Sequence, residues 1–134
     1  MQISTRTHGV IDLASAAALA AAPRVMGWHG PARTMMDTAA AGSVAYSLGT
    51  DYELGAVPVL TMRQHLAIDA GQGVAFLAAA ALMHHVPHEA RLFMAGFGLF
   101  SLAVGALTER ERRMTYSMLA RDEERHGYLM GEGV

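Results

Sequence analysis

Residues 6–12 read Arg6-Thr7-His8-Gly9-Val10-Ile11-Asp12, and residues 63–69 read Arg63-Gln64-His65-Leu66-Ala67-Ile68-Asp69. Arg, His, Ile and Asp recur in register 57 positions apart, each time opening an apolar, Ala-rich run. The second part of each unit matches at an offset of 58: Ala32-Arg33 with Ala90-Arg91, Met36 with Met94, Ser43 with Ser101, and Thr50-Asp51-Tyr52-Glu53 with Thr108-Glu109-Arg110-Glu111. Self-similarity at a fixed period is the mark of a chain built by stacking one supersecondary unit on another. The reading is therefore two tandem two-helix repeats, residues 1–58 and 59–108, followed by a charged tail at 109–134.

Four hydrophobic segments carry helical character: about 8–27, 34–50, 64–84 and 90–107. A bilayer span takes about 20 largely apolar residues. The third and fourth segments approach that length; the first and second reach it only with Asp12 and Asp37 counted inside. Each run is apolar on every side, as in residues 14–22 and 73–83, rather than along one stripe, which is how a lipid-facing helix reads. Apolar residues make up 52% of the chain and charged residues 16%, below the roughly 25% charged of soluble domains. The expected fold is all-α: a four-helix transmembrane bundle with a C-terminal cytoplasmic helix. A water-soluble four-helix bundle is the alternative. Small-residue seams at Ala14/Ala18/Ala22, Ala41/Ala45/Gly49 and Gly71/Ala75/Ala79 are candidate helix-packing faces. The first segment also imitates a secretory signal, but its counterpart at 64–84 is internal, which argues against cleavage.

All ten basic residues are Arg, and the net charge of −2 gives no basic face for nucleic acid. Seven of the arginines, Arg6, Arg63, Arg110, Arg112, Arg113, Arg121 and Arg125, fall on one side of a four-span layout; Arg24, Arg33 and Arg91 fall on the other. The positive-inside rule then makes both termini cytoplasmic. Two units with an even number of spans insert the same way up, related by a pseudo-twofold axis along the membrane normal. There is no Cys, hence no thiolate chemistry, and the serines stand in no nucleophile elbow.

The Thr5–Asp12 segment, the Thr50-Asp51-Tyr52-Glu53-Leu54-Gly55 loop and the His65–Asp69 segment resemble the SPW-repeat family of small bacterial integral membrane proteins, over about residues 3–107. In place of the name-giving Ser-Pro-Trp stand Ala22-Pro23-Arg24 and Met83-His84-His85-Val86. The resemblance implies a four-helix layout in the bacterial inner membrane and brings no activity with it.

Positions i and i+4 share a helical face, so His8 stacks on Asp12 and His65 on Asp69. Several uses stay open for these four residues. They can close a polar network that locks the repeats in register. In that case Arg6 and Arg63 bind the acidic helix ends at Asp51, Glu53, Glu109 and Glu111. They can hold a Zn, Mn or Fe ion, for which imidazole and carboxylate are suitable ligands. They can also ligate haem through His8 and His65, or relay protons. A second set, His29, His84, His85, His88 and Asp37, lies toward the opposite face and offers a Cu or Zn site; the alternative is interfacial polarity shared with Trp28. The functional expectation is a non-enzymatic accessory or assembly component of a membrane complex, bound to the lipid bilayer and to copies of itself or other subunits. A metal or haem carrier and a small ion or proton transporter are the alternatives.

Overall fold

The computed structural model describes residues 2–110. The expected helix within 109–134 therefore falls, beyond residue 110, outside the described residues, Glu111 included. The chain forms four helices: α1 (Thr5–Val25), α2 (Gly30–Leu48), α3 (Met62–Leu82) and α4 (His88–Leu107). There are no strands among the described residues, only isolated bridges.

The helices begin earlier than the apolar runs because their caps do. Ser4 Oγ accepts from the Thr7 amide. Thr61 Oγ1 accepts from the Gln64 amide at 3.3 Å, while Gln64 Oε1 accepts from the Thr61 amide at 2.9 Å. This reciprocal pair satisfies two donors that a helix start otherwise leaves bare. Capping at Ser4 and Thr61 puts His8 and His65 within the first two turns, at the same height. Between α1 and α2 the backbone takes φ of +69° at Gly27 and +61° at Gly30, values that a side chain strains against.

α1 lies along α2, and α3 along α4, forming two hairpins. The buried stripe of α1 is Thr5, His8, Asp12, Ala16, Leu19 and Pro23, with Gly9. That of α3 is Met62, His65, Asp69, Gly73, Phe76 and Ala80. Each of the six follows its counterpart by 57 positions. Away from the His/Asp level the interior is apolar, centred on Leu19, Met36, Phe76 and Met94. The α3–α4 hairpin is tight: a Cβ on Gly98 would lie 2.6 Å from the Gly73 carbonyl oxygen.

Backbone bonds at one end tie each hairpin to the other. Ile3 N–H donates to Leu107 O at 2.8 Å and Glu109 N–H donates to Ile3 O at 2.9 Å. Leu60 N–H donates to Gly49 O at 2.8 Å and Asp51 N–H donates to Leu60 O at 2.8 Å. The residue ahead of α1 thus pairs with the end of α4, and the residue ahead of α3 with the end of α2.

Two expectations need correction. The seams at Ala14/Ala18, Ala41/Ala45 and Gly71/Ala75 point outward and are exposed. The His/Asp stripe rotates each helix so that a different set of small residues, Ala16, Ala40, Gly73 and Gly98, meets the neighbour. Trp28 is not an interfacial residue but part of the interior, 6% exposed, with its ring 5.7 Å from that of Phe93.

Large apolar side chains cover much of the outside, including Val10, Val74, Leu92 and Leu99, all more than half exposed. Two helices, α3 and α4, are long and apolar enough to cross a membrane. α1 and α2 do not reach that measure, because polar residues interrupt them.

Candidate metal centre

His8, Asp12, His65 and Asp69 meet between α1 and α3, each offering one ligand atom, all within 4.8 Å of one another. The imidazoles are sealed from solvent, at 1% and 0% exposure. His8 Nε2 lies 2.9 Å from Asp69 Oδ2 and 3.3 Å from Asp12 Oδ1. His65 Nε2 lies 3.0 Å from Asp12 Oδ2 and 3.3 Å from Asp69 Oδ2. The two Nε2 atoms are 3.3 Å apart. Each histidine is closer to the aspartate of the other hairpin than to its own helical neighbour.

The far side of each ring settles its tautomer. Thr108 Oγ1 donates to Val104 O at 2.7 Å, and Thr50 Oγ1 donates to Tyr46 O at 2.7 Å. A hydroxyl has one proton, so each threonine oxygen can only accept from the imidazole Nδ1 that lies 2.8 Å away, His8 on Thr108 and His65 on Thr50. Both histidines thus carry their proton on Nδ1 and turn Nε2 toward the carboxylates. This is how outer partners orient imidazoles that ligate metals. With Nε2 bare, the four groups carry two negative charges and match a divalent cation. With Nε2 protonated, they close on themselves as two ion pairs.

The surrounding contacts hold the carboxylates. Tyr46 Oη donates to Asp69 Oδ1 at 2.6 Å, and Ser47 Oγ donates to Asp12 Oδ2 at 3.2 Å. Tyr52, 4% exposed, lays its ring over Gly9 and beside the His65 ring. Burial pushes its phenol above the ordinary value. Thr50, Thr108, Tyr46, Ser47 and Tyr52 were not expected as site residues. The recurrence of Thr50 as Thr108 is the signal that marks two of them; Tyr46 has Val104 as its counterpart and carries no such mark.

The donors are spaced near the separations that an ion imposes, and the closest pairs, at 2.9 and 3.0 Å, would move slightly apart to admit one. Zinc sits about 2.0–2.1 Å from tetrahedral nitrogen and oxygen donors, which separates those donors by about 3.3–3.4 Å. The five donor separations given above run from 2.9 to 3.3 Å. A haem does not fit. Its plate cannot pass between two Nε2 atoms 3.3 Å apart that both abut carboxylates.

The second set is not assembled: among the described residues the only group of three or more metal donors is the one above. His29, His84, His85 and His88 are exposed around two separate turns. The Asp37 carboxylate is held by Arg24 at 2.5 Å and Arg33 at 3.4 Å. Of the expected peripheral network, Glu53 accepts from Thr5 Oγ1 at 2.8 Å, a residue not expected there. Arg6 and Asp51 are exposed; Arg63 and Glu109 have partners of their own. No protein-family model, curated protein or solved structure matches the chain.

Proposed function

We propose that this is a small multi-pass membrane protein whose two hairpins grip one divalent transition-metal ion between His8, Asp12, His65 and Asp69. The observation that carries the reading is the cluster itself: four donors within 4.8 Å, with both imidazoles fixed by threonine so that Nε2 faces inward. Two imidazoles and two carboxylates suit Zn, Mn or Fe(II).

The membrane setting draws support from the span-length α3 and α4 and from the apolar residues on the outer faces of all four helices. In this reading α1 and α2 also cross. Their polar residues, Asp12 among them, are tolerated because they face the bundle interior. The arginine bias then puts both termini, and the metal end of the bundle, on the cytoplasmic side of a bacterial inner membrane. The two-unit layout is in keeping with the SPW-repeat resemblance. The protein would act as a metal-holding accessory component rather than as an enzyme.

One observation favours a second reading, a metal-free polar lock between the repeats. Among the described residues, every buried side-chain polar atom already has a partner. Elemental analysis of protein purified gently from native membranes separates the two. The first reading expects about one equivalent of metal per chain, lost in both His8→Ala and His65→Ala. Wild-type protein that stays folded while metal-free, and takes up none on dialysis against Zn, Mn or Fe(II), would establish the second.

A further inference from the structure

Beside the cluster, toward the middle of the bundle, lies a cavity of about 20 Å³. That is room for one water molecule and little more. His8, Asp12 and Asp69 form one wall; three serines, Tyr46 and Gln72 contribute polar groups to the rest, among aliphatic and aromatic side chains. A void in an apolar bundle is ordinarily lined by Leu, Ile or Phe and stays dry. This one carries polar groups beside apolar ones, and it opens onto three of the four proposed ligands.

The lining carries a second regularity. Ser15 and Gln72 are separated by 57 positions, and Ser43 and Ser101 by 58, so the cavity is bounded by matched positions of both hairpins. The match fails at Tyr46, opposite Val104, and in the size of Gln72 against Ser15. Hydrogen-bonding capacity therefore gathers on one side, where Ser43 Oγ lies 3.3 Å from both Gln72 Oε1 and Tyr46 Oη. Tyr46 spends its proton on Asp69, so toward the cavity its oxygen can only accept, which suits water or hydroxide, while the Gln72 amide N–H can donate to an anion.

Building on the metal reading above, we propose that the ion keeps an open coordination position directed into this cavity, filled by one water or hydroxide and exchangeable for a small anion. Four protein ligands complete a tetrahedral set, so the water stands as a fifth ligand, the number to which zinc sites expand, and the cavity beside His8, Asp12 and Asp69 is where there is room for it. The ligand class is set by volume: one or two heavy atoms fit, whereas carboxylic acids, phosphate and larger groups do not. Gln72, Ser43 and Tyr46 act as positioning residues that orient the guest.

The test is pulsed EPR of the Co(II)-loaded protein in nanodiscs, in water enriched in oxygen-17. The expected result is one strongly coupled oxygen-17 nucleus, displaced by fluoride at concentrations that leave cobalt bound. Ser15→Leu fills the cavity and should abolish the coupling while cobalt stays at one equivalent. Gln72→Leu should weaken fluoride binding about tenfold, the effect of one lost hydrogen bond of about 1.4 kcal/mol. Cobalt bound with no oxygen-17 coupling in the wild type would overturn the open position and leave the metal reading standing. Coupling that persists in Ser15→Leu would show that water arrives from elsewhere and would overturn the cavity assignment. Failure of the wild type to bind cobalt, with Zn, Mn and Fe(II) equally refused, overturns both. If Ser15→Leu does not fold, fluoride affinity in Gln72→Leu decides: a tenfold loss supports the cavity assignment and unchanged affinity overturns it.

Discussion

Replacing Thr108 by Val tests the orientation of the metal centre more sharply than removing a ligand does. Valine is close to threonine in shape, so packing at this buried position is kept while the hydroxyl is lost. That hydroxyl accepts from His8 Nδ1 at 2.8 Å and donates to Val104 O at 2.7 Å. Its loss leaves the His8 Nδ1–H buried without an acceptor, a cost of about 1–3 kcal/mol. Freed of that bond, the ring can rotate or take the other tautomer, and outer partners of this kind are worth about 10–100-fold in metal affinity. Thr50→Val removes the matching bond to His65 and should produce the same two effects at the same size. The double variant should fall short of the sum, because the two Nε2 atoms are 3.3 Å apart and share both carboxylates, and groups in one network couple. Stability is read by reversible denaturation in mild detergent, metal affinity by competition with a chromophoric chelator. If Thr108→Val binds metal as tightly as wild type, the threonine does not set the tautomer and the inward-facing Nε2 argument is refuted.

Other expectations follow from the packing. Gly98→Ala drives a Cβ against the Gly73 backbone and should cost about 1–3 kcal/mol of overpacking. Gly96→Ala, two residues away with open space around it, should be neutral or slightly stabilising; detergent denaturation of the pair compares them directly. Gly9→Ala pushes into the Tyr52 ring, where the new Cβ would lie 2.8 Å from the phenol oxygen. It should destabilise by about 1–3 kcal/mol, most of that cost vanishing in a Tyr52→Ala background, and a double-mutant cycle without coupling would contradict the contact. The chain should stay in the membrane pellet after alkaline carbonate extraction; recovery in the supernatant would exclude the multi-pass reading.

The centre was legible in the sequence because it was written twice. One His-x-x-x-Asp on an apolar helix is ambiguous, but His8/Asp12 repeated as His65/Asp69 implies two pairs at one height. What periodicity could not show was helix rotation. In a run apolar all the way round, Ala14/Ala18 and Ala16 are equally good packing faces, and only the requirement to bury His8 and Asp12 chooses Ala16. Helix starts were missed for a different reason: hydrophobicity locates the apolar run, whereas Ser4 and Thr61 fix the first turn by hydrogen bonding. Tyr46, Gln72 and Tyr52 were hidden because their part in the site comes from contacts between hairpins, and no local pattern encodes those. The histidines near the turns misled in the opposite direction. His29, His84, His85 and His88 are near one another in the expected layout but splay outward, and Asp37 is already engaged by two arginines.

The crossed pairing of the hairpins bears on how the protein is made. His8 depends on Thr108 and Asp69, residues translated long after it. When only α1 and α2 have been made, His8 and Asp12 have each other and Ser47, but lack Asp69, His65 and Thr108. The first hairpin therefore holds two buried polar groups short of their partners until α3 and α4 are made. The last residues to engage, at Thr108 and Glu109, also complete the backbone pairing with Ile3. Assembly of the cluster thus waits for the end of four-helix synthesis, and a chain truncated before Thr108 would leave His8 without its Nδ1 partner.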